Sequence, residues 1–265
     1  MFSLLSYQFV QFAFVAGVLT AIICSLLGVA VVSRNMSLLG DSLSHLTFGA
    51  AAVAIFFSLP FYLVTIPAAI IGALVITKNI KNDSHTADSY VAAISTFGIA
   101  VGVIVASISK TSSINLESFL FGSILTVNIV DLIFLTILAL IVLILFSVFY
   151  KNIFLVLFDP EQAEISGVKV QIYQSVISLL TGLAIAVAMK IVGALLVSAL
   201  LVLPASISLR LVSGFVKSVF VSVIVAVLIS IIGIIIALQL NTPTGPTIAI
   251  IAAAFFAMSI IIKSK

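Results

Sequence analysis

Ser33-Arg34-Asn35-Met36-Ser37-Leu38-Leu39-Gly40-Asp41-Ser42-Leu43-Ser44-His45 places an arginine, an aspartate and a histidine in a chain that otherwise avoids charge. Asp41 and His45 are four residues apart, so on a helix both side chains lie on one face, within reach of one ion. Leu46 to Leu59 is an apolar run, and it carries that face into a membrane. A carboxylate and an imidazole so placed are either ligands for a divalent metal or a buried polar pair with a packing role.

The surrounding composition settles the class. Hydrophobic residues make up 63% of the 265 positions and charged residues 7%, with a mean hydropathy of +1.47. Runs of about 20 apolar residues are what a helix needs to cross a hydrocarbon core. The runs here are continuous rather than alternating, which favours helices over a barrel. The fold expected is an all-α polytopic membrane protein, one transmembrane domain over residues 1–265. Nine spans are read at about 7–32, 41–58, 61–79, 88–108, 129–150, 172–189, 192–209, 217–238 and 246–262. The weakest divisions, at Leu59-Pro60 and near Lys190, leave eight as the alternative. The first basic residue is Arg34, and no small-residue cleavage pattern follows the first apolar run, so no removable leader is expected.

Orientation follows from the basic residues. With the N-terminus outside, the cytoplasmic connections hold Arg34, Lys78, Lys81, Lys151, Lys169, Arg210, Lys217, Lys263 and Lys265, nine of the eleven. Lys110 and Lys190 fall on the other side, and the C-terminus is inside. Tyr7, Tyr62, Tyr90, Tyr150 and Tyr173 all sit at span ends, where an amphipathic ring prefers the headgroup region. The single cysteine, Cys24, excludes an internal disulfide and a thiolate cluster. The formal charge of +3 gives no reason to expect a nucleic-acid partner; the lipid bilayer is the expected surroundings.

Two connections are long enough for structure of their own. Ser109 to Asn128, outside, reads as a short loop with a surface helix near Phe119-Leu-Phe-Gly122. Asn152 to Gln171, inside, contains Asp159-Pro160-Glu161-Gln162. That is helix-start chemistry: a capping aspartate, proline in the first turn and acids at the positive end of the dipole. Gly167 supplies the stop. A cytoplasmic helix of about two turns is expected, displaying Glu161 and Glu164.

Ionisable residues within spans cost about 2.5–3.5 kcal/mol each to insert. They are Asp41, His45, Asp88, Asp131 and Lys190. Asp41 and Asp88 both begin spans running outward, and His45 is about 6 Å further along. An Asp41/His45/Asp88 set suits zinc or manganese; a structural hydrogen bond for the first two, and a helix N-cap for Asp88, are the alternatives. Asp131 and Lys190 are near span ends, where snorkelling suffices. Gly40-Asp41-Ser42-Leu43 matches a serine-esterase tetrapeptide, but the last histidine is His85, so no base follows far along the chain. No glycine precedes a lysine, so there is no phosphate-binding Walker loop. An ATP-driven process would need a separate subunit, and no enzymatic activity is expected of this chain.

Five segments, in order, resemble the membrane permease subunit of bacterial zinc/manganese ABC importers (the ABC-3 type). They are Arg34–His45, Leu120-Phe-Gly-Ser-Ile-Leu125, Phe158-Asp-Pro-Glu-Gln-Ala163 with Gly167, Ile191-Val-Gly-Ala-Leu-Leu-Val-Ser-Ala-Leu-Leu-Val-Leu-Pro204, and Pro243-Thr-Gly-Pro-Thr-Ile248. The resemblance implies a homodimer in the bacterial cytoplasmic membrane, two cytoplasmic ATP-binding subunits and an extracytoplasmic metal-binding protein. The metal would be cargo rather than a resident cofactor. It also implies that Asp41 and His45 lie on the metal path, that Asp159, Pro160, Glu161, Glu164 and Gly167 dock on the ATPase, and that Asp88 matches an acidic position near a span start. Many members continue after the histidine with Leu-Pro-Gly, where this chain has Phe48-Gly49-Ala50; the missing proline removes a kink. This form, and Phe149–Phe154 ahead of Asp159, are closer to the zinc branch. The competing reading is an ATPase-independent secondary transporter or channel relaying protons through Asp41 and His45; no inverted halves are recognisable to support it.

Overall fold

A computed structural model describes residues 8–79, 84–108, 120–122 and 127–263. The described helices are α1 Gln8–Ser33, α2 Ser37–Phe56, α3 Phe61–Asn79, α4 Ser84–Ile108, α5 Ile129–Val148, α6 Tyr150–Phe158, α7 Pro160–Ile165, α8 Val170–Val192, α9 Ala194–Leu211, α10 Phe215–Leu240 and α11 Thr244–Lys263. No strand occurs among the described residues. Nine of these helices, all but α6 and α7, are long and apolar enough to cross a membrane. Of the surface helix expected near Phe119, Leu120 and Phe121 are helical and Gly122 follows at φ +75°; residues 109–119 and 123–126 lie outside the described residues.

The two weak divisions are real breaks. After α2 the backbone turns at Ser58, with φ +54°, and Pro60 leads into α3. Gly193 separates α8 from α9 at φ +88° and ψ 152°. Only glycine adopts that geometry at no steric cost. A Cβ there would also collide with the backbone of Leu120 and Phe121. Helix α2 begins four residues earlier than the sequence suggests, at Ser37, so Asp41 sits in its second turn rather than at its start. Ser44 and Thr47 donate back to the carbonyls of Gly40 and Leu43, both at 2.8 Å. Their hydroxyls are thereby satisfied inside the helix, Thr47 being shared with the Ser44 carbonyl at 2.9 Å. The helix runs on through Phe48-Gly49-Ala50 to Phe56.

The interior is built on α1, α8 and α9. Ile23, Leu27, Ile185, Leu196 and Leu200 are fully buried there, with Leu135 of α5 in the same core. Helix α1 packs on α9 and α10, α3 on α8, and α9 on α11, while α4 packs chiefly on α2. The α2–α4 seam is made by glycine. A Cβ on Gly49 would strike the Gly98 carbonyl, and one on Gly98 would strike the backbone of His45 and Leu46. Such backbone-to-backbone approach is how helices associate where lipid offers no hydrophobic drive. Leucine at Gly98 should therefore force the seam apart at a cost of about 3 kcal/mol, seen as a lower unfolding temperature of the purified protein. Leucine at the exposed neighbour Ile99 should leave that temperature unchanged.

Candidate functional site

Helix α2 carries the pair singled out from the sequence. His45 Nε2 lies 3.5 Å from Asp41 Oδ2, long for a hydrogen bond. The two side chains are 18% and 47% exposed, so the chain's own helices leave this face partly open. His45 Nδ1 is buried without a partner. Two zinc ligands at about 2.0–2.1 Å in tetrahedral geometry stand about 3.4 Å apart. The observed 3.5 Å separation is close to that spacing, so the two groups could reach one ion together.

Asp88 is not brought to that pair within one chain. It is exposed on α4, and no group of three His, Cys, Asp or Glu residues able to hold an ion exists among the described residues. The glycine seam gives the reason. Gly98 sits at the level of His45 and Leu46, and Asp88 is ten residues back along α4, about 15 Å of helix. Nor is Asp88 the N-cap, because α4 starts at Ser84.

The Asp159 segment folds as its chemistry dictates. The Asp159 carboxylate accepts from the Gln162 amide at 2.9 Å, Pro160 occupies the first turn of α7, and Glu161 lies in that turn. Gly167 follows at φ +78° in open space. Ala163 is buried against Val156 and Val170, which fixes α7 onto α6 and α8. Glu161 and Glu164 point to solvent. Ile165, at the end of this short helix and not singled out by the sequence, is 81% exposed. Alanine at Asp159 should cost α7 about 1 kcal/mol, read as faster hydrogen exchange at the amides of Gln162 and Ala163.

The largest departure from expectation concerns Asp131 and Lys190. Neither snorkels. Lys190 Nζ donates to both carboxylate oxygens of Asp131, at 2.8 and 3.0 Å, and the Asp131 side chain is 1% exposed. Tyr62 donates its hydroxyl to Asp131 Oδ1 at 2.6 Å. The Asn128 amide donates to Oδ2 at 3.1 Å, while the Asp131 amide donates to the Asn128 side-chain oxygen at 3.0 Å. One carboxylate thus ties α3, α5 and α8 together and completes a reciprocal cap at the start of α5. Tyr62 is placed by this bond as well as by its position at a helix end. The signal was present in the sequence: Asp131 and Lys190 are lone opposite charges at ends of spans that the charge count puts on one side.

The sequence profile of the ABC 3 transport family matches residues 6–263. The chain belongs to the ABC 3 transport family. This ABC-3 chain is 28% identical to the manganese transport system membrane protein MntC of Halalkalibacterium halodurans, over 99% of the chain and 90% of that protein. It is 29% identical to the high-affinity zinc uptake system membrane protein ZnuB of Haemophilus influenzae, over 96% and 97%. Among solved structures it resembles PsaBC from Streptococcus pneumoniae in complex with Fab, at a TM-score of 0.85 and 28% identity, covering 97% of this chain and 92% of that one. A metal-chelate type ABC transporter in an inward-facing conformation shares the fold at a TM-score of 0.76 and 19% identity. The ABC-3 chain is thus a multi-pass membrane permease of the metal ABC transporter family, whose ATPase is a separate subunit.

Proposed function

We propose that this chain forms the translocation path of an ATP-driven divalent metal importer, with zinc as first cargo and manganese as the alternative. The observation that carries the reading is the Asp41–His45 pair, set at the bite of one ion on a face its own chain leaves partly open. Two ligands hold an ion weakly, which suits a path that must release it. A second copy across that face would supply the remaining ligands and the opposite wall, so a homodimer is part of the reading. An imidazole with a carboxylate suits zinc, and any such nitrogen–oxygen site binds zinc more tightly than manganese at equal availability.

In this reading the N-terminus is outside and the C-terminus inside, as the basic residues argue. Helix α7, with Asp159, Pro160, Glu161, Glu164 and Gly167, then lies in the cytoplasm and docks on the ATP-binding subunit. Ile165 adds an apolar contact there. Closure of the ATPases moves α7, and α6 and α8, fixed to it through Ala163, carry that movement into the bundle. An extracytoplasmic binding protein delivers the ion at the opposite end. Asp88 is a separate carboxylate further toward the cytoplasm on α4, met by the ion after the pair.

Elemental analysis of cells expressing this permease with its neighbouring ATPase and binding protein tests the reading. Zinc accumulation above cells lacking the permease is the expected result. Manganese rising instead overturns the choice of ion and keeps the mechanism. Uptake that persists with an ATPase unable to hydrolyse ATP, driven by a proton gradient alone, overturns the mechanism.

A further inference from the structure

Two clefts meet at the end of the bundle that carries α6 and α7. One, of about 650 Å³, lies between α6 and the start of α10, with Lys151, Asn152, Ser213 and Lys217 among its walls. The other, of about 560 Å³, continues from it as a furrow between α1, α5 and α10, lined by Leu26, Phe146, Val219 and Val223 among others. The clefts share Tyr150, Phe215 and Val216, so they form one groove with a cationic mouth and an apolar tail. From Lys217 to Val223 is six residues of α10, about 9 Å.

We propose that this groove binds an anionic phospholipid, its phosphate between Lys151 and Lys217 and one acyl chain along the furrow. Both lysines are exposed, and neither has a carboxylate partner among the described residues. Lys151 instead rests 5.9 Å from the centroid of the Tyr150 ring, which steadies its ammonium at the mouth. The tail runs along helices that themselves span the membrane, so it faces hydrocarbon. A second copy of the chain fits less well. The helices bordering the furrow carry one acid, Asp131, already buried and paired with Lys190, so an apolar helix laid into the tail would leave both lysines uncompensated.

An amphiphile with a negative head satisfies the two ends together. Each lysine near an anionic headgroup contributes roughly fivefold in affinity, roughly 25-fold together.

Native mass spectrometry of the purified protein, offered phosphatidylglycerol and phosphatidylcholine in equal amounts, tests this. The expected spectrum shows phosphatidylglycerol retained over phosphatidylcholine, undisplaced by millimolar inorganic phosphate. Lys151→Gln with Lys217→Gln should abolish the preference, whereas Lys169→Gln keeps it. Val219→Trp, which fills the tail while leaving the lysines in place, should lower retention of both lipids. Equal retention of the two lipids by the unaltered protein overturns the proposal. So does a Val219→Trp variant that keeps its lipid and loses its dimer, which would assign the furrow to a second copy. Neither result depends on the cargo or on the ATPase, so failure here is distinct from failure of the transport reading.

Discussion

Alanine at Asp41 or at His45 is expected to abolish metal uptake, by about 100-fold or more, while the permease still assembles. Residues that merely orient a metal ligand cost 10–100-fold when removed, and a ligand of a two-residue set should cost no less. Assembly should survive because neither side chain carries the packing of α2, which rests on Leu39, Leu43, Gly49 and Phe48. Asp41 is 47% exposed, and its 3.5 Å contact with His45 is too long to hold the helix. Thermal unfolding of Asp41→Ala should therefore shift stability by no more than about 0.5 kcal/mol. Cellular metal content reads the first effect and the purified protein reads the second. If both single variants accumulated metal normally, the pair would be a packing feature and the path would lie elsewhere.

The second large effect concerns stability. Replacing Lys190 by methionine leaves the Asp131 carboxylate buried with only the Tyr62 hydroxyl and Asn128 amide to answer it. Stranding one partner of a buried ion pair costs about 3–5 kcal/mol, enough to deplete folded protein from the membrane. Asp131→Asn combined with Lys190→Met should recover much of the loss, since removing both charges together is close to neutral. Yield of monodisperse protein and its unfolding midpoint are the readouts. Equal losses in the single and double variants would show that Lys190 matters for something other than its partner.

The architecture was legible because the bilayer leaves helices few choices: a run of about 20 apolar residues has no other stable form there. The Asp159-Pro160 start and the Gly167 stop were legible for a similar reason, since capping is local chemistry and the required residues stand within a few positions. The Asp41–His45 pair was legible through helical spacing alone. What spacing cannot give is which helices meet and at what level. Asp88 was placed by analogy of position, two spans each starting with an acid. The level is set by where Gly98 crosses α2, and one chain read linearly does not contain that register. Asp131 and Lys190 failed in the opposite direction. Each looked affordable at a span end, and only the crossing of α5 with α8 shows that burial closes over the carboxylate. Ile165 was invisible because a single isoleucine in an apolar chain draws no notice until the fold leaves it 81% exposed on a short helix beside two acids.

The Asp131 network also has an order in time. The 59 residues that separate Asp131 from Lys190 take about 3–12 s to synthesise at 5–20 residues per second. During that interval α5 must enter the bilayer with its carboxylate unneutralised. Tyr62 and Asn128 precede Asp131 in the chain and are already made, so they can serve as temporary hosts for the acid until α8 arrives. The nascent protein thus holds a half-finished junction that closes only when its lysine emerges, with α9, α10 and α11 still to follow.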